Sequence, residues 1–283
     1  MKFTGISAVS PINIEKFMSF YHFKFTEGYK GKGEFHNFPE TVYVVSGNIG
    51  VATDREYLRI GPGGLIFHKA GEYHRLWAED GTAPEIFVFS YYTESEFIKN
   101  FENKVYYLDG FEKSLIVKLA TLLESKVVCH GDDGRHTLCF KDEVTEKTLR
   151  LEKSIFETLL LQIVGNKTAD AIAMQSLKSH EEIFSAALKF MNANICVSLR
   201  ESDICANVGV SSATLKRIFK KYTSGGSMKY FTAMKINRAI AMLNDGVPVG
   251  EVSYRLGFSS QNYFCTVMKR ETGKSPSEYK RDL

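Results

Sequence analysis

Two short polar stretches of the chain carry side chains suited to base-pair edges. Lys216 and Arg217 offer N–H donors that match the acceptors of guanine, and Gln261 and Asn262 offer the donor–acceptor pair that matches adenine N6 and N7. Ser212 and Ala213 precede the first pair and Ser260 precedes the second, with Thr266 one turn further on. Lys220 and Lys221, and later Lys269 and Arg270, follow at distances where a helix would bring them to phosphates. Such side chains read sequence only when a rigid rod carries them into the major groove, and that groove accepts one α-helix.

The elements that would hold them are written twice. ICANVGVSS (204–212) and VSYRLGFSS (252–260) share a small residue, a glycine between apolar residues and a closing pair of serines, 48 residues apart. Each copy predicts a helix ending at Gly209 or Gly257, a turn, and a second helix capped by Ser211 or Ser259: a helix-turn-helix. Leu215, Ile218 and Phe219 are expected to face inward in the first copy, and Tyr263 or Phe264, Val267 and Met268 in the second. The segment from about Met228 to Asn244 reads as a connecting helix of roughly 25 Å, long enough to hold two such units on successive stretches of groove. Ser179-x-x-Glu182 and Ser198-x-x-Glu201 read as capping boxes at helix starts.

Charge separates this end from the rest. Residues 181–283 carry a net charge of +6 and the preceding 180 carry −3, so a polyanionic partner is expected for the C-terminal third alone. With 44% hydrophobic and 24% charged residues the chain has material for packed cores. No apolar stretch is long enough to span a membrane and the N-terminus lacks a secretion signal, so a cytoplasmic protein with reduced cysteines is expected, with no membrane partner.

Residues 181–283 closely resemble the DNA-binding domain of the AraC/XylS family of bacterial transcription regulators. The marks are Arg238-Ala239, Gly257-Phe258, Tyr263-Phe264, Lys269, Gly273, Pro276 and Tyr279, and VGVSSATLKRIFKKY is similar to the family's upstream motif. The resemblance implies promoter binding by two motifs per subunit (about 199–222 and 248–271). It places base contacts at Ala213, Lys216, Arg217, Gln261, Asn262 and Thr266. Thr266 stands where a basic residue is common and Met268 where phenylalanine is usual.

Residues 1–108 read as strands. Phe17, Ser19, Tyr21, Phe23 and Phe25 alternate onto one face, and TVYVVSG, GLIFHKAG and EIFVFSYY are short β-branched and aromatic runs between turn residues. The expected fold is multidomain α+β: an N-terminal cupin-like β-barrel, a helical dimerisation and linker region over 109–170, and an all-α double helix-turn-helix domain over 171–283. In the middle region Leu115, Leu119 and Leu122, then Leu149, Phe156 and Ile163, make apolar stripes. Those stripes need either the barrel's outer wall or the same helix of a second subunit, and the homodimer is preferred.

The spacing G28-x5-E34-x-H36-x3-E40-x6-G47 resembles the first cupin motif, with Glu34 replacing its first histidine. G63-x5-K69-x-G71-x2-H74 resembles the second, with Lys69 replacing its proline and Ala78 at its closing Asn position. The resemblance puts the four metal-ligand positions of metal-binding cupins on Glu34, His36, Glu40 and His74, a set that suits Fe, Mn, Ni or Zn. Family regulators often keep the barrel without metal, so no metal or other cofactor is expected. The preferred reading is a small-molecule pocket lined by His36, Glu40, Tyr43, His74, Arg75, Trp77 and Phe89, with the lone tryptophan suggesting a carbohydrate. Cys129, His130, His136 and Cys139 have zinc-ligand types, but a strand would send the neighbours Cys129 and His130 to opposite faces. No phosphate loop or nucleophile–base pair is evident. The chain reads as a non-enzymatic, ligand-responsive regulator acting on double-stranded promoter DNA and on RNA polymerase. The alternatives are a metal-dependent cupin enzyme fused to a DNA-binding module, and a DNA-organising protein without a sensor.

Overall fold

The computed structural model describes residues 10–31, 33–53, 56–102, 104–130, 137–145, 147–166, 179–223 and 225–281. The β-rich N-terminal part comprises β1 (Lys16–Lys24), β2 (Glu40–Ser46), β3 (Asn48–Thr53), β4 (Tyr57–Ile60), β5 (Gly64–His68), β6 (His74–Glu79), β7 (Glu85–Tyr92) and β8 (Val105–Tyr107), with a 3-10 turn at Glu96–Phe101. All pair antiparallel, in a five-stranded sheet of order β1-β7-β2-β5-β8 and a three-stranded sheet of order β4-β3-β6. The two share a core in which Val42, Val44, Ile66, Ile86 and Val88 meet Ile49, Val51 and Ile60.

The barrel expected from the sequence is therefore not closed. Among the described residues no named strand of one sheet pairs with the other; only isolated bridges, Lys30 to Trp77 and Glu34 to His74, extend the smaller sheet past β6. Strand β1 corrects a second expectation. A register shift between Phe17 and Ser19 breaks the alternation. Phe17 joins Phe20 on the face toward the helices, while Tyr21, Phe23 and Phe25 stack on the other.

Helices α1 (Gly110–Glu124) and α2 (Arg150–Asn166) flank the hairpin β9 (Val127–His130) and β10 (Thr137–Phe140). The α1 start is a capping box: Asp109 accepts from Glu112 N–H, and Glu112 accepts from Asp109 N–H. The stripe assigned preferentially to a second subunit lies instead on this chain's own sheet. Leu119, Phe156 and Ile163 are fully buried with Phe17, Phe89 and Tyr91, and Leu115 and Leu149 pack at the edge. Phe156 contacts three sheet aromatics at 5.0 to 6.0 Å. A five-stranded sheet with an apolar outer face needs cover, and these two helices supply it.

The C-terminal part is all helical: α3 (Ser179–Ala193), α4 (Glu201–Val208), α5 (Ser212–Tyr222), α6 (Ser227–Asn244), α7 (Val249–Arg255), α8 (Gln261–Thr272) and α9 (Pro276–Arg281). Helix α3 begins at the serine of the first expected capping box. Helix α4 starts later than the second one implies, with Arg200 N–H donating to Asp203 at 2.7 Å. Gly209 and Gly257 sit at φ 68° and 62°, where an L side chain is strained. A Cβ on Gly209 would meet nothing within 4 Å, whereas on Gly257 it would lie 2.4 Å from Cys196 O. Gly209→Ala is therefore expected to destabilise by about 1–2 kcal/mol from backbone strain alone. Gly257→Ala should lose clearly more, because backbone must also move. Urea unfolding of the two variants checks the difference, and equal losses would remove the close approach as a cause.

Candidate functional site

The two expected helix-turn-helix units are α4–α5 and α7–α8. In the first, Ser211 caps α5 by accepting from Thr214 N–H at 3.2 Å, and Leu215, Ile218, Phe219 and Tyr222 are buried. In the second, Ser260, not Ser259, takes the cap, accepting from Tyr263 N–H at 3.1 Å. The second turn holds one more residue than the first. This explains why the copies align 48 apart at Gly209 and Gly257 but 49 apart at Leu215 and Phe264. Phe264, Val267 and Met268 are buried, and Tyr263 points outward.

All ten side chains named for DNA contact are exposed: Ser212, Ala213, Lys216, Arg217 and Lys220 on α5, and Ser260, Gln261, Asn262, Thr266 and Lys269 at the start and along α8. Several are held by groups the local pattern could not reveal. Glu201, from α4, accepts from Ser212 Oγ and lies 3.5 Å from Lys216 Nζ. These contacts, led by the Ser212 bond, hold its carboxyl below the usual range. Arg217 Nη2 is 3.4 Å from His180 Nε2. Thr266 Oγ1 donates to Asn262 O at 3.0 Å, so its hydroxyl is already engaged. Connector α6 spans roughly 27 Å at the usual rise. From it the buried Lys235 Nζ donates to Val197 O and Leu256 O, each at 2.7 Å, tying the segment before α4 and the end of α7 to the connector.

In the β-rich part, His36, Glu40 and His74 converge, with one ligand atom from each within 4.8 Å of the others. Glu40 Oε1 is 3.1 Å from His74 Nε2, and Oε2 is 3.4 Å from His36 Nε2 and accepts from Ser90 Oγ at 3.0 Å. Each imidazole directs its Nδ1 at a backbone carbonyl, His36 at Phe38 O (2.7 Å) and His74 at Glu72 O (3.2 Å). With Nδ1 donating, each Nε2 lone pair confronts a carboxylate, so a proton or a cation must sit between. Burial disfavours charge on both Glu40 and His74, but their contacts prevail. Glu40 is held well below the carboxylate range by His36 and His74, and His74 is raised above its ordinary value by Glu40. Two imidazoles and a carboxylate also fit a divalent transition metal. Glu34 is outside this group: its backbone bridges His74, while its side chain lines the neighbouring pocket, where burial and then Glu40 raise its carboxyl above the usual range.

Beside the cluster lies a pocket of about 310 Å³ lined by Tyr21, Phe23, Tyr29, Glu34, Glu40, His74 and Arg75. Four expected lining residues are elsewhere: His36 adjoins Glu40 but does not line the pocket, and the other three are displaced because strand residues alternate between faces. Tyr43 and Phe89 point to the opposite side of the five-stranded sheet, into the core under α1 and α2. Trp77 faces away from the cavity. It stacks on Tyr57 at 5.5 Å, packs on Tyr222 of α5, and donates from Nε1 to Glu79 at 2.6 Å. The Cys129 and Cys139 positions lie on the β9–β10 hairpin, with Leu138 opposite Cys129, and His136 lies outside the described residues.

The β-rich part touches the first recognition helix directly. Lys30 Nζ donates to Lys221 O at 2.7 Å and Lys220 O at 3.3 Å, placing a cation on the C-terminal carbonyls of α5. Tyr57 N–H donates to Ser185 Oγ of α3 at 2.9 Å, and Tyr73 meets Tyr230 of α6 edge-on at 5.5 Å.

These elements define a two-part protein with a β-rich domain and a helical double helix-turn-helix domain, and comparison with known proteins agrees for the helical part. A family profile described as "Helix-turn-helix domain" matches residues 204–282. The C-terminal segment is an AraC-type helix-turn-helix domain, and its relatives are AraC-family transcription regulators. The chain is 23% identical over 249 residues to the HTH-type transcriptional activator RhaR of Mannheimia succiniciproducens, covering 87% of this chain and 85% of that one. It is 26% identical over 142 residues to the melibiose operon regulatory protein of Escherichia coli, covering 50% and 45%. The chain spans only 38%, 40% and 35% of three further regulators it matches. Among solved structures, ToxT from Vibrio cholerae aligns with a TM-score of 0.38 at 15% identity, over 94% of this chain and 97% of that one.

Two outcomes follow from this geometry. Arg217→Ala is expected to weaken binding by about 1–3 kcal/mol at one base position, read by titrating duplexes mutated base by base; an equal loss on every duplex would make Arg217 a phosphate contact. The second outcome concerns pH. The stability from Glu40 is present above the ordinary carboxylate range and lost as pH falls through its lowered pKa. That from His74 is present below its ordinary value of 6.5 and lost as pH rises through its raised pKa. The melting-temperature gap between wild type and Glu40→Gln should therefore be widest between about pH 5 and 6.5 and shrink on both sides. A gap independent of pH would remove the ion pair as its source.

Proposed function

We propose that this protein is a sequence-specific, ligand-responsive transcription regulator of promoter DNA. The carrying observation is the pair of outward polar helix faces on α5 and α8, joined by one connector in the basic third of the chain. In this reading Arg217 and Lys216 address guanine edges, and Gln261 and Asn262 address adenine. Thr266, its hydroxyl engaged, presents a methyl suited to thymine. Lys220 and Lys269, with Lys221 and Arg270, meet phosphates. Ser212, Ala213 and Ser260 lie at the helix starts, where the backbone comes nearest the duplex.

The division of labour is 1–108 for sensing, 109–170 for packing and pairing, and 171–283 for DNA. Glu40, His74 and Arg75 line the 310 Å³ pocket of the sensing part, with His36 against Glu40. Among the described residues no helix is long and apolar enough to cross a membrane, and we place the protein in the cytoplasm. The relatives' names, one a melibiose operon regulator, support a carbohydrate-derived effector. We assign pairing of two subunits to surfaces other than the buried stripes of α1 and α2, such as the exposed Phe111, Val117 and Leu151. RNA polymerase is the target of the bound regulator.

The test is to sequence the chromosomal fragments the full chain binds in cells, then titrate purified protein onto one of them. Selective binding whose logarithm falls linearly with log salt is expected. Equal affinity for all duplexes would instead support a DNA-organising protein. A second reading, a metal-dependent barrel enzyme, rests on the His36–Glu40–His74 cluster. It requires stoichiometric metal in the purified protein and turnover lost on Glu40→Ala. Metal-free protein that still shifts its promoter fragment rejects it.

A further inference from the structure

Among the described residues, Arg75 is a buried charge without a counterpart. Arg75, on β6, is 3% exposed, and its Nε and Nη2 are buried without a hydrogen-bond partner. No carboxylate among the described residues forms an ion pair with it. An arginine stays charged at any physiological pH, and a buried, unpaired charge is among the most unfavourable groups a fold can hold. The nearest cations add to the imbalance: Lys30, beside it, is shifted down by burial and then by Arg75 itself.

Strand alternation puts Arg75 on the same face of β6 as Trp77, toward the helical domain. There it lines a cleft of about 420 Å³ between the two parts of the protein. The opposite wall is Lys229, Tyr230 and Asn237 of α6, with Thr223 after α5 and Glu271 near the end of α8. Lys229 is exposed and supplies a second cation, while Glu271 is already engaged by Arg270 at 2.8 Å. Arg75 also borders the 310 Å³ pocket beside His74, so the two cavities meet at this side chain.

We propose that this cleft is the effector site, and that the effector is a small molecule bearing an oxyanion, a carboxylate or a phosphate, which the Arg75 guanidinium grips from the β-rich side and Lys229 from α6. The inference rests on the regulator reading and adds to it where the ligand sits and what it is. A planar guanidinium fork pairs with two oxyanion oxygens at once. A ligand held there touches the connector and lies at the C-terminal ends of both recognition helices. It therefore changes how the β-rich part sits on the DNA-binding domain, which a ligand buried wholly within the sheets does not do. The volume accommodates a sugar phosphate or sugar acid, so a carbohydrate-derived effector is compatible provided it is charged.

The test uses the full-length protein in calorimetric titrations and thermal melts at constant ionic strength, balanced with chloride. Inorganic phosphate, acetate, glucose 6-phosphate, gluconate and glucose serve as probes. At least one oxyanion is expected to bind saturably and raise the melting temperature, while neutral glucose does neither. The phosphate and carboxylate arms decide which oxyanion is preferred. Arg75→Gln should weaken the best probe at least tenfold, Arg75→Lys should restore only part of that, and the exposed Lys229→Gln should weaken it several-fold without altering the unliganded melt. Saturable binding of glucose unaffected by Arg75→Gln, or no saturable binding by any oxyanion, overturns the proposal. Binding to the promoter fragment is measured on the same preparation. If the DNA shift persists while oxyanions are ignored, this inference fails and the regulator reading stands; if the DNA shift itself is absent, the regulator reading fails.

Discussion

The outer face of the three-stranded sheet is too apolar to meet water, and the molecule is organised around how that face is covered. Tyr57 and Trp77 stack there, and Phe184 and Tyr222 close over them, the latter pair at 4.9 Å. Glu79 sits in the same layer and accepts from both Trp77 Nε1 and Tyr57 Oη, so the two buried polar tips are satisfied. Because Tyr222 ends the first recognition helix, the contact that buries the sheet also positions the helix that carries Lys216 and Arg217. Aromatic burial of this extent contributes on the order of several kcal/mol, which makes the two parts one cooperative body instead of beads on a linker.

Polar contacts around this layer give it direction. Lys30 adds a cation to the C-terminal end of α5, and Arg75 brings an unneutralised one to the neighbouring cleft. Both come from the β-rich side and both face the helical domain. A shift of that sheet by an ångström or two would alter the capping of α5 and the shape of the cleft together, which is the coupling that a sensor joined to a DNA reader needs.

What the sequence made legible follows from the range of each interaction. The paired helix-turn-helix units were readable because turn glycines, caps and inward aliphatics are all local, and they recur. Even the one-residue slip at Ser260 was visible as a change of offset. The His36–Glu40–His74 convergence was readable through the resemblance of two spacings to the cupin motifs, although Glu40 and His74 lie on different sheets. Strand faces were not. Tyr43, Trp77 and Phe89 were expected in the pocket, and each lies on the other face of its sheet, because alternation says which residues share a face but not which face looks inward. The bulge after Phe17 moved that residue alone off the face it was expected to share with Tyr21, Phe23 and Phe25. The α2 stripe was equally ambiguous: its heptad-like spacing fits a partner helix or a sheet, and only the sheet's uncovered face decided between them. Glu201, His180 and Lys30 act on the DNA-reading helix from other elements, so nothing near them in the chain announced them.

Those last residues bear on how the free protein differs from one on DNA. Ser212 and Lys216 are bonded or paired with Glu201, and Arg217 lies against His180. In the proposed reading a guanine edge must compete with these partners, and so must a phosphate. Exposed pairs of this kind are weak, about 1 kcal/mol or less, and salt screens them. A well-aligned base contact contributes more than such a pair, whereas a single diffuse phosphate contact does not clearly exceed it. The internal partners therefore subtract most from non-specific binding and least from a matched site. They also restrict the side chains of α5 they engage, so less rotamer freedom is lost when the helix docks. The second unit, with Gln261 and Asn262 exposed and Thr266 bonded to its own helix, carries less charge at its reading positions. It is suited to adding specificity once the first unit has made the stronger electrostatic contact.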